Sequence, residues 1–183
     1  MALLSVRDLR LEDVELVDNY WSSLTPADLN RMYIDPAKLG TSVERQARFR
    51  KTVLTPVEER EAHPLIWEID GTAVGTTIMR NVKGGESGEI HLHLFDPTHR
   101  QQGFGTRLLI LSMQEYASRF GLKKIICEPA SGNPAPNAVF RRMGVGPARV
   151  YKTTPSYLCF EHEVSRYEID VAQLSQISAS VFP

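Results

Sequence analysis

The stretch Arg100-Gln101-Gln102-Gly103-Phe104-Gly105 separates a run that alternates like a strand, Glu89–Phe95, from a long apolar-striped run, Gly103–Phe120. A strand passing into a helix through glycines restricts the folds open to a chain. The first amides of a helix lack intrahelical acceptors, and the helix dipole favours negative charge there. Glycine lets the backbone come close to a pyrophosphate, and Arg100 can add a charge-assisted contact, typically ~1.5–3 kcal/mol. Leu108 breaks the dinucleotide pattern G-x-G-x-x-G, and the Walker sequence G-x-x-x-x-G-K-[ST] is absent. Spacing alone therefore leaves two readings, an anion cradle and an ordinary glycine-rich turn before a core helix.

The surrounding pattern sets the fold class. Leu4–Leu9 reads as a short strand and Leu11–Leu24 as a helix with an apolar stripe through Val14, Val17 and Trp21. Thr25 and Pro26 are suited to the cap and first position of a second helix, and Ser42–Leu54 reads as a third. From Pro64 strands dominate: Leu65–Ile69, the turn Asp70-Gly71, Thr72–Arg80, a glycine-rich turn at Lys83–Gly88, then Glu89–Phe95. After the Gly103–Phe120 helix come a strand at Lys123–Glu128, a short helix at Asn137–Met143 and two strands between Arg149 and Asp170. An antiparallel meander followed by strand–helix–strand–helix–strands predicts an α+β fold with a mixed sheet flanked by helices.

At 183 residues the chain suits one domain, 1–183, with a core that needs no staples. Its formal charge of −1 gives no overall attraction to nucleic acid or to an anionic membrane. The best local basic cluster, Arg45, Arg48, Arg50 and Lys51, reads as a solvated helix face among acids. Cys127 and Cys159 have neither disulfide-framework nor zinc spacing, and Cys127 sits in an apolar run as a small hydrophobe. No metal site is expected. No apolar run approaches the ~20 residues of a membrane span, and no secretory signal pattern opens the sequence, so a cytoplasmic location is expected.

Arg100–Gly105 matches the R/Q-x-x-G-x-G/A coenzyme A signature, and the chain resembles the GNAT N-acetyltransferase superfamily over about Leu4 to Asp170. It also resembles an uncharacterised bacterial subgroup with His91-Leu92-His93-Leu94 before the loop, and Cys127-Glu128-Pro129 and Asn133-Pro134-Ala135-Pro136-Asn137 after it. The resemblance implies a splayed sheet with acetyl-CoA as co-substrate entering between Glu89–Phe95 and Lys123–Glu128. It places pantetheine against the backbone of Leu94 and Phe95. The pyrophosphate would lie on Arg100 and the amides of Gln101, Gln102, Gly103, Phe104, Gly105 and Thr106, with Asn133 near the cofactor arm. As a residue, Asn133 reads equally well as a turn or helix cap.

Transfer to an amine needs a neutral nitrogen, and a lysine-like amine near pKa ~10.4 is far less often neutral at pH 7 than an α-amine near ~7.7–8.0. Glu89, His91 and His93 alternate along one strand and share a face. The resemblance puts Glu89 at the catalytic glutamate of histone acetyltransferases, and Glu89 and His91 at the two histidines of serotonin acetyltransferases. His91 is the first candidate base, since imidazole ordinarily titrates near neutrality; Glu89 is second, as base or orienting partner, and His93 third. The alternative is a structural Glu-His-His network. Phe140 occupies the position where many relatives carry a tyrosine acid, leaving Tyr151, Tyr157, Tyr167 or water to protonate the thiolate.

The expected activity is acetyl transfer to a primary amine of a small molecule, peptide or protein, with a non-catalytic acyl-CoA-binding or sensing module as the alternative. Asn30–Glu61 and Tyr151–Tyr167 are expected to line the acceptor cleft. A homodimer is left open, with no stretch of sequence marking an interface.

Overall fold

The computed structural model describes residues 2–95 and 102–182. Seven strands form one sheet in the order β1-β2-β3-β4-β5-β7-β6, namely β1 Leu4–Asp8, β2 Ala62–Ile69, β3 Thr72–Lys83, β4 Ser87–Leu94, β5 Lys124–Cys127, β6 Arg149–Thr153 and β7 His162–Asp170. Every neighbouring pair is antiparallel except β4 and β5, which the helix between them makes parallel. The α+β expectation holds.

Local chemistry explains most element ends. Asp70 (φ 51°) and Gly71 (φ 78°) both take positive φ, as a two-residue hairpin between β2 and β3 requires. Thr25 Oγ1 accepts from the Asp28 amide (3.2 Å), and the Asp28 carboxylate accepts from the Thr25 amide (3.1 Å), closing a capping box at α2 (Pro26–Arg31). β2 begins at Ala62, before Pro64. The missing Pro64 donor is tolerated there because β1 pairing has ended at Leu65, and Pro64 O still accepts from Leu9 N–H (3.3 Å).

The two faces of the sheet are covered differently. On one, α5 (Phe104–Phe120) and α7 (Leu174–Val181) bury Leu108, Leu109, Met113, Leu174 and Ile177 against Leu65, Trp67, Met79, Ile90 and Ile125. α7 is absent from the sequence expectation: it is short, and only Leu174, Ile177 and Val181 among serines give it an apolar side. A buried polar chain fixes α5 in place. Trp67 Nε1 donates to Ser112 Oγ (2.7 Å), Thr77 Oγ1 donates to the same oxygen (3.1 Å), and Tyr116 OH donates to His63 O (2.6 Å).

On the other face lie α1 (Val14–Ser23), α2, α3 (Pro36–Leu39) and α4 (Ser42–Leu54), packing Val17, Trp21, Ile34 and Leu39 on Ile66. Arg45 corrects the expectation of a solvated basic face. It is buried, its Nε donates to Asp18 Oδ1 (2.7 Å), and Nη1 and Nη2 donate to Gly40 O (2.8 Å) and Ser22 Oγ (2.5 Å). Arg48 likewise donates to Leu39 O (2.7 Å). Two of the four basic groups therefore tie helices together. Among the described residues, no helix is long and apolar enough to cross a membrane.

Candidate acyl-transfer site

β4 pairs with β5 only from Ser87 to Glu89, opposite Lys124–Ile126, yet stays paired with β3 as far as Leu94. Past Glu89 the parallel strands part. Phe95 N–H donates to Val74 O (2.8 Å), so Phe95 commits its amide to β3. The strand alternation then turns the backbone groups of Ile90, Leu92 and Leu94 the other way, into the gap. Of the two residues expected to meet pantetheine, Leu94 presents an open edge and Phe95 packs its ring against Tyr20.

A cleft fills the gap. β4 supplies Ile90–His93; the end of β5 supplies Cys127 and the segment after it Glu128–Ala130 and Asn133; β3 supplies Ile78 and Arg80. Trp21 and the stretch Pro155–Cys159 with His162 close the remaining side. Of the segment Tyr151–Tyr167, expected to line the acceptor cleft, it is Pro155–Cys159 and His162 that face this one. Cys127 is buried, with its thiol pushed up to about 12 by desolvation, as suits a packing residue.

The start of α5 stands at the end of the sheet where β4 and β5 stop, since α5 leads by its C-terminus into β5. Arg100 and Gln101 lie outside the described residues. Gln102 is exposed in the bend before α5, and Gly103 caps the helix at φ 81° with no side-chain cap bond. Beyond its chain neighbours and the backbone of its own helix, no heavy atom of the described residues lies within 4 Å of where a Gly105 Cβ would stand. Phe104 packs on the core, and Thr106 is buried.

Two buried oxygens test whether this region suits a polar ligand. Thr106 Oγ1 and Asn133 Oδ1 are inaccessible and lack a hydrogen-bond partner among the described residues. Asn133 begins α6 (Pro134–Arg142) without a side-chain cap bond, so its side chain does not serve the capping role weighed from sequence. Leaving such atoms unpaired costs about 1–3 kcal/mol each. Both belong to the residues matched to coenzyme A, and a polar ligand arm would satisfy them only by displacing the atoms that now cover them.

The Glu-His-His face divides. Glu89 accepts from Asn81 Nδ2 (2.7 Å) and is not part of the cleft wall. His93 packs against Tyr20 and Trp21, with Tyr20 OH 3.1 Å from its Nδ1. His91 lines the cleft and has no hydrogen-bond partner among the described residues. Burial, helped by the Arg80 charge, holds His91 down at about 4; burial and His91 hold His93 at about 3. The near-neutral titration expected of His91 is displaced, and the ring is neutral throughout the physiological range.

Sequence reasoning missed His162. Its Nδ1 lies 2.8 Å from Phe160 O and must donate, because a carbonyl only accepts, which leaves Nε2 with a lone pair. The ring lines the same cleft and stacks on Tyr33 at 4.4 Å. No local motif marks it. Glu128 also reaches the wall, with its carboxylate held by Arg166 Nη1 and Tyr151 OH, both at 2.5 Å. Of the tyrosines considered as acids, Tyr151 is thus engaged, and Tyr167 is buried and donates to Asn137 Oδ1 (2.8 Å). Tyr157 stands half-exposed in the cleft wall with no hydrogen bond from its hydroxyl among the described residues. No group of three or more His, Cys, Asp and Glu among the described residues is placed to hold a metal ion.

Residues 23–145 match the family model described as Acetyltransferase (GNAT) family. No curated protein matches the sequence. Among solved structures, an uncharacterized protein from Bacillus halodurans superimposes with a TM-score of 0.75 at 13% identity, over 98% of this chain and 90% of that one. RimL, a ribosomal L7/L12 alpha-N-protein acetyltransferase solved with coenzyme A, gives 0.75 at 19% identity over 92% and 94%. The aminoglycoside acetyltransferase AAC(6')-Ib, also solved with coenzyme A, gives 0.74 at 12% identity over 95% and 98%.

Proposed function

Because this chain belongs to the acetyltransferase (GNAT) family, we propose that it transfers an acetyl group from acetyl-CoA to a primary amine. The observation that carries the reading is the cleft between the parting strands β4 and β5, lined by Asn133, one of the cofactor-matched residues. The residues that would hold the cofactor are Leu94 through its backbone, Arg100, the amides from Gln101 to Thr106, and Asn133. Bound there, acetyl-CoA supplies a thioester whose C–S bond is exchanged for a C–N bond to the acceptor.

The chain's own residues manage the protons. His91, neutral because of its burial, accepts the proton the amine loses, directly or through a water. His162 Nε2 is a second acceptor in the same wall. Tyr157 OH donates to the departing thiolate in place of a tyrosine at position 140. The scheme gives no step to Glu89 or His93.

The weakness of His91 as a base bears on the acceptor. An imidazole near pKa 4 is poorly matched to a lysine-like ammonium at ~10.4 and better matched to an amine already partly neutral, such as an α-amine near ~7.7–8.0. RimL is titled an alpha-N-protein acetyltransferase, whereas other similar folds are titled as aminoglycoside and spermidine acetyltransferases.

Calorimetric titration with acetyl-CoA and thiol release across an amine panel test the proposal. Binding followed by amine-dependent thiol release is expected. Phe140, buried where many relatives carry a tyrosine, favours a second reading, an acyl-CoA sensor, and tight binding with no release for any amine would select it.

A further inference from the structure

Arg80 lies on β3 where two adjoining hollows meet: the cleft described above and a second one bounded by α4. Its guanidinium is 5.6 Å from the ring centre of Tyr157, the cation–π arrangement that fixes a cation's position without neutralising it. Among the described residues it has no ion-pair partner, although Glu89 stands opposite in the strand register. The Glu89 carboxylate is instead bonded to Asn81.

The rest of the wall does not offset this charge. Glu128 is the one carboxylate residue among those lining the two hollows, and Arg166 and Tyr151 already occupy it. Arg45 is neutralised by Asp18, while Arg48, with Glu44 beside it, adds a second cation to the far hollow. Most of the remaining lining is apolar, with Trp21, Ile34, Ile78 and Leu158 prominent. A wall with this balance repels a polyamine and leaves a cation awaiting an anion.

We propose that the acceptor is an amine carrying a carboxylate and an apolar body, its carboxylate held by Arg80 and its apolar part against Trp21 and Ile78. The inference rests on the acyl-transfer reading and names the substrate class of that site. A guanidinium binds a carboxylate through two parallel N–H donors, which also fixes where the amine points. The same chemistry is offered by a free apolar amino acid and by a peptide with an acidic residue next to its N-terminus.

The test compares L-leucine with L-leucinamide, and alanyl-aspartyl amide with alanyl-alanyl amide, with spermidine and kanamycin alongside. Each is assayed by thiol release with wild type, R80Q and R80K. Comparing one pair across variants cancels the difference in amine basicity between its members. R80Q is expected to lower the preference for the carboxylate-bearing member about tenfold to a hundredfold, mainly through KM, with R80K between. A loss confined to the leucine pair identifies a free amino acid, and one confined to the peptide pair a peptide. Equal loss for both members, or spermidine or kanamycin as the best acceptor, overturns the inference while leaving acetyl transfer standing. If no amine is turned over, the acyl-transfer reading falls, and calorimetry of L-leucine with the coenzyme A-loaded protein decides the rest. Binding lost in R80Q supports the carboxylate site; binding unchanged in R80Q, or absent from wild type, overturns it.

Discussion

Phe140 lies nearly flat on Tyr167, with ring centroids 4.2 Å apart, and the Tyr167 hydroxyl beyond it donates to Asn137. The position where many relatives place an acid is here a sealed part of the core. Phe140→Tyr should not install an acid. It should bury a hydroxyl without a partner and lower stability by about 1–3 kcal/mol, leaving kcat no higher. Urea unfolding and thiol-release kinetics on the same variant check both halves, and a rise in kcat would contradict the assignment.

His91, His93 and His63 are all held below the ordinary histidine range by burial. In the unfolded chain they take up protons near pH ~6.5, but in the folded chain only at lower pH. The unfolded state therefore binds more protons below that pH, and stability must fall as pH drops from ~6.5 toward 4, by up to about 1.4 kcal/mol per pH unit each for His91 and His93, with His63 acting in the same direction. Depressed carboxylates such as Glu168, held at about 2, add their own loss only below the unfolded carboxylate range, ~4.5. Melting curves between pH 7.5 and 4.5 should show the decline, and His93→Gln should flatten it.

Asn133→Ala should separate binding from folding. The side-chain oxygen has no partner to lose and its removal relieves the cost of an unpaired buried acceptor, so the melting temperature should hold or rise. Coenzyme A affinity should fall about tenfold, the worth of one good hydrogen bond. Calorimetry and melting curves on one preparation give the comparison.

Arg45→Met should cost up to about 3–5 kcal/mol, because it leaves the Asp18 carboxylate between α1 and α4 without a countercharge, held only by the neutral donors of Ser42 and Gln46. Adding Asp18→Leu should recover much of that loss, since replacing both ions with apolar groups removes the unpaired charge. Denaturant midpoints of the single and double variants measure it.

The β2–β3–β4 meander and the start of α2 were legible because local chemistry fixed them: Asp70-Gly71 demands a hairpin, and Thr25-Pro26 demands a helix start. The parting of β4 from β5 was legible only through the family resemblance, since no residue in Glu89–Phe95 records where a neighbouring strand stops pairing. His162 was hidden for a related reason. Its place in the cleft comes from the bridge of Ile34 to Cys159 and from the path of β7, contacts between residues far apart in sequence. His91 shows a third limit. The residue type suggests a pKa near neutrality, but its enclosure, which only the fold reveals, moves it to about 4.

The edge left bare where β4 leaves β5 makes the sheet an unfinished ladder. The amides of Leu92 and Leu94 face solvent on that side while those of His91 and His93 are held by β3. Hydrogen exchange should therefore alternate residue by residue along one strand, fast at Leu92 and Leu94 and slow between them. A cofactor lying along that edge would complete the ladder, slowing the fast positions and raising the melting temperature with its concentration.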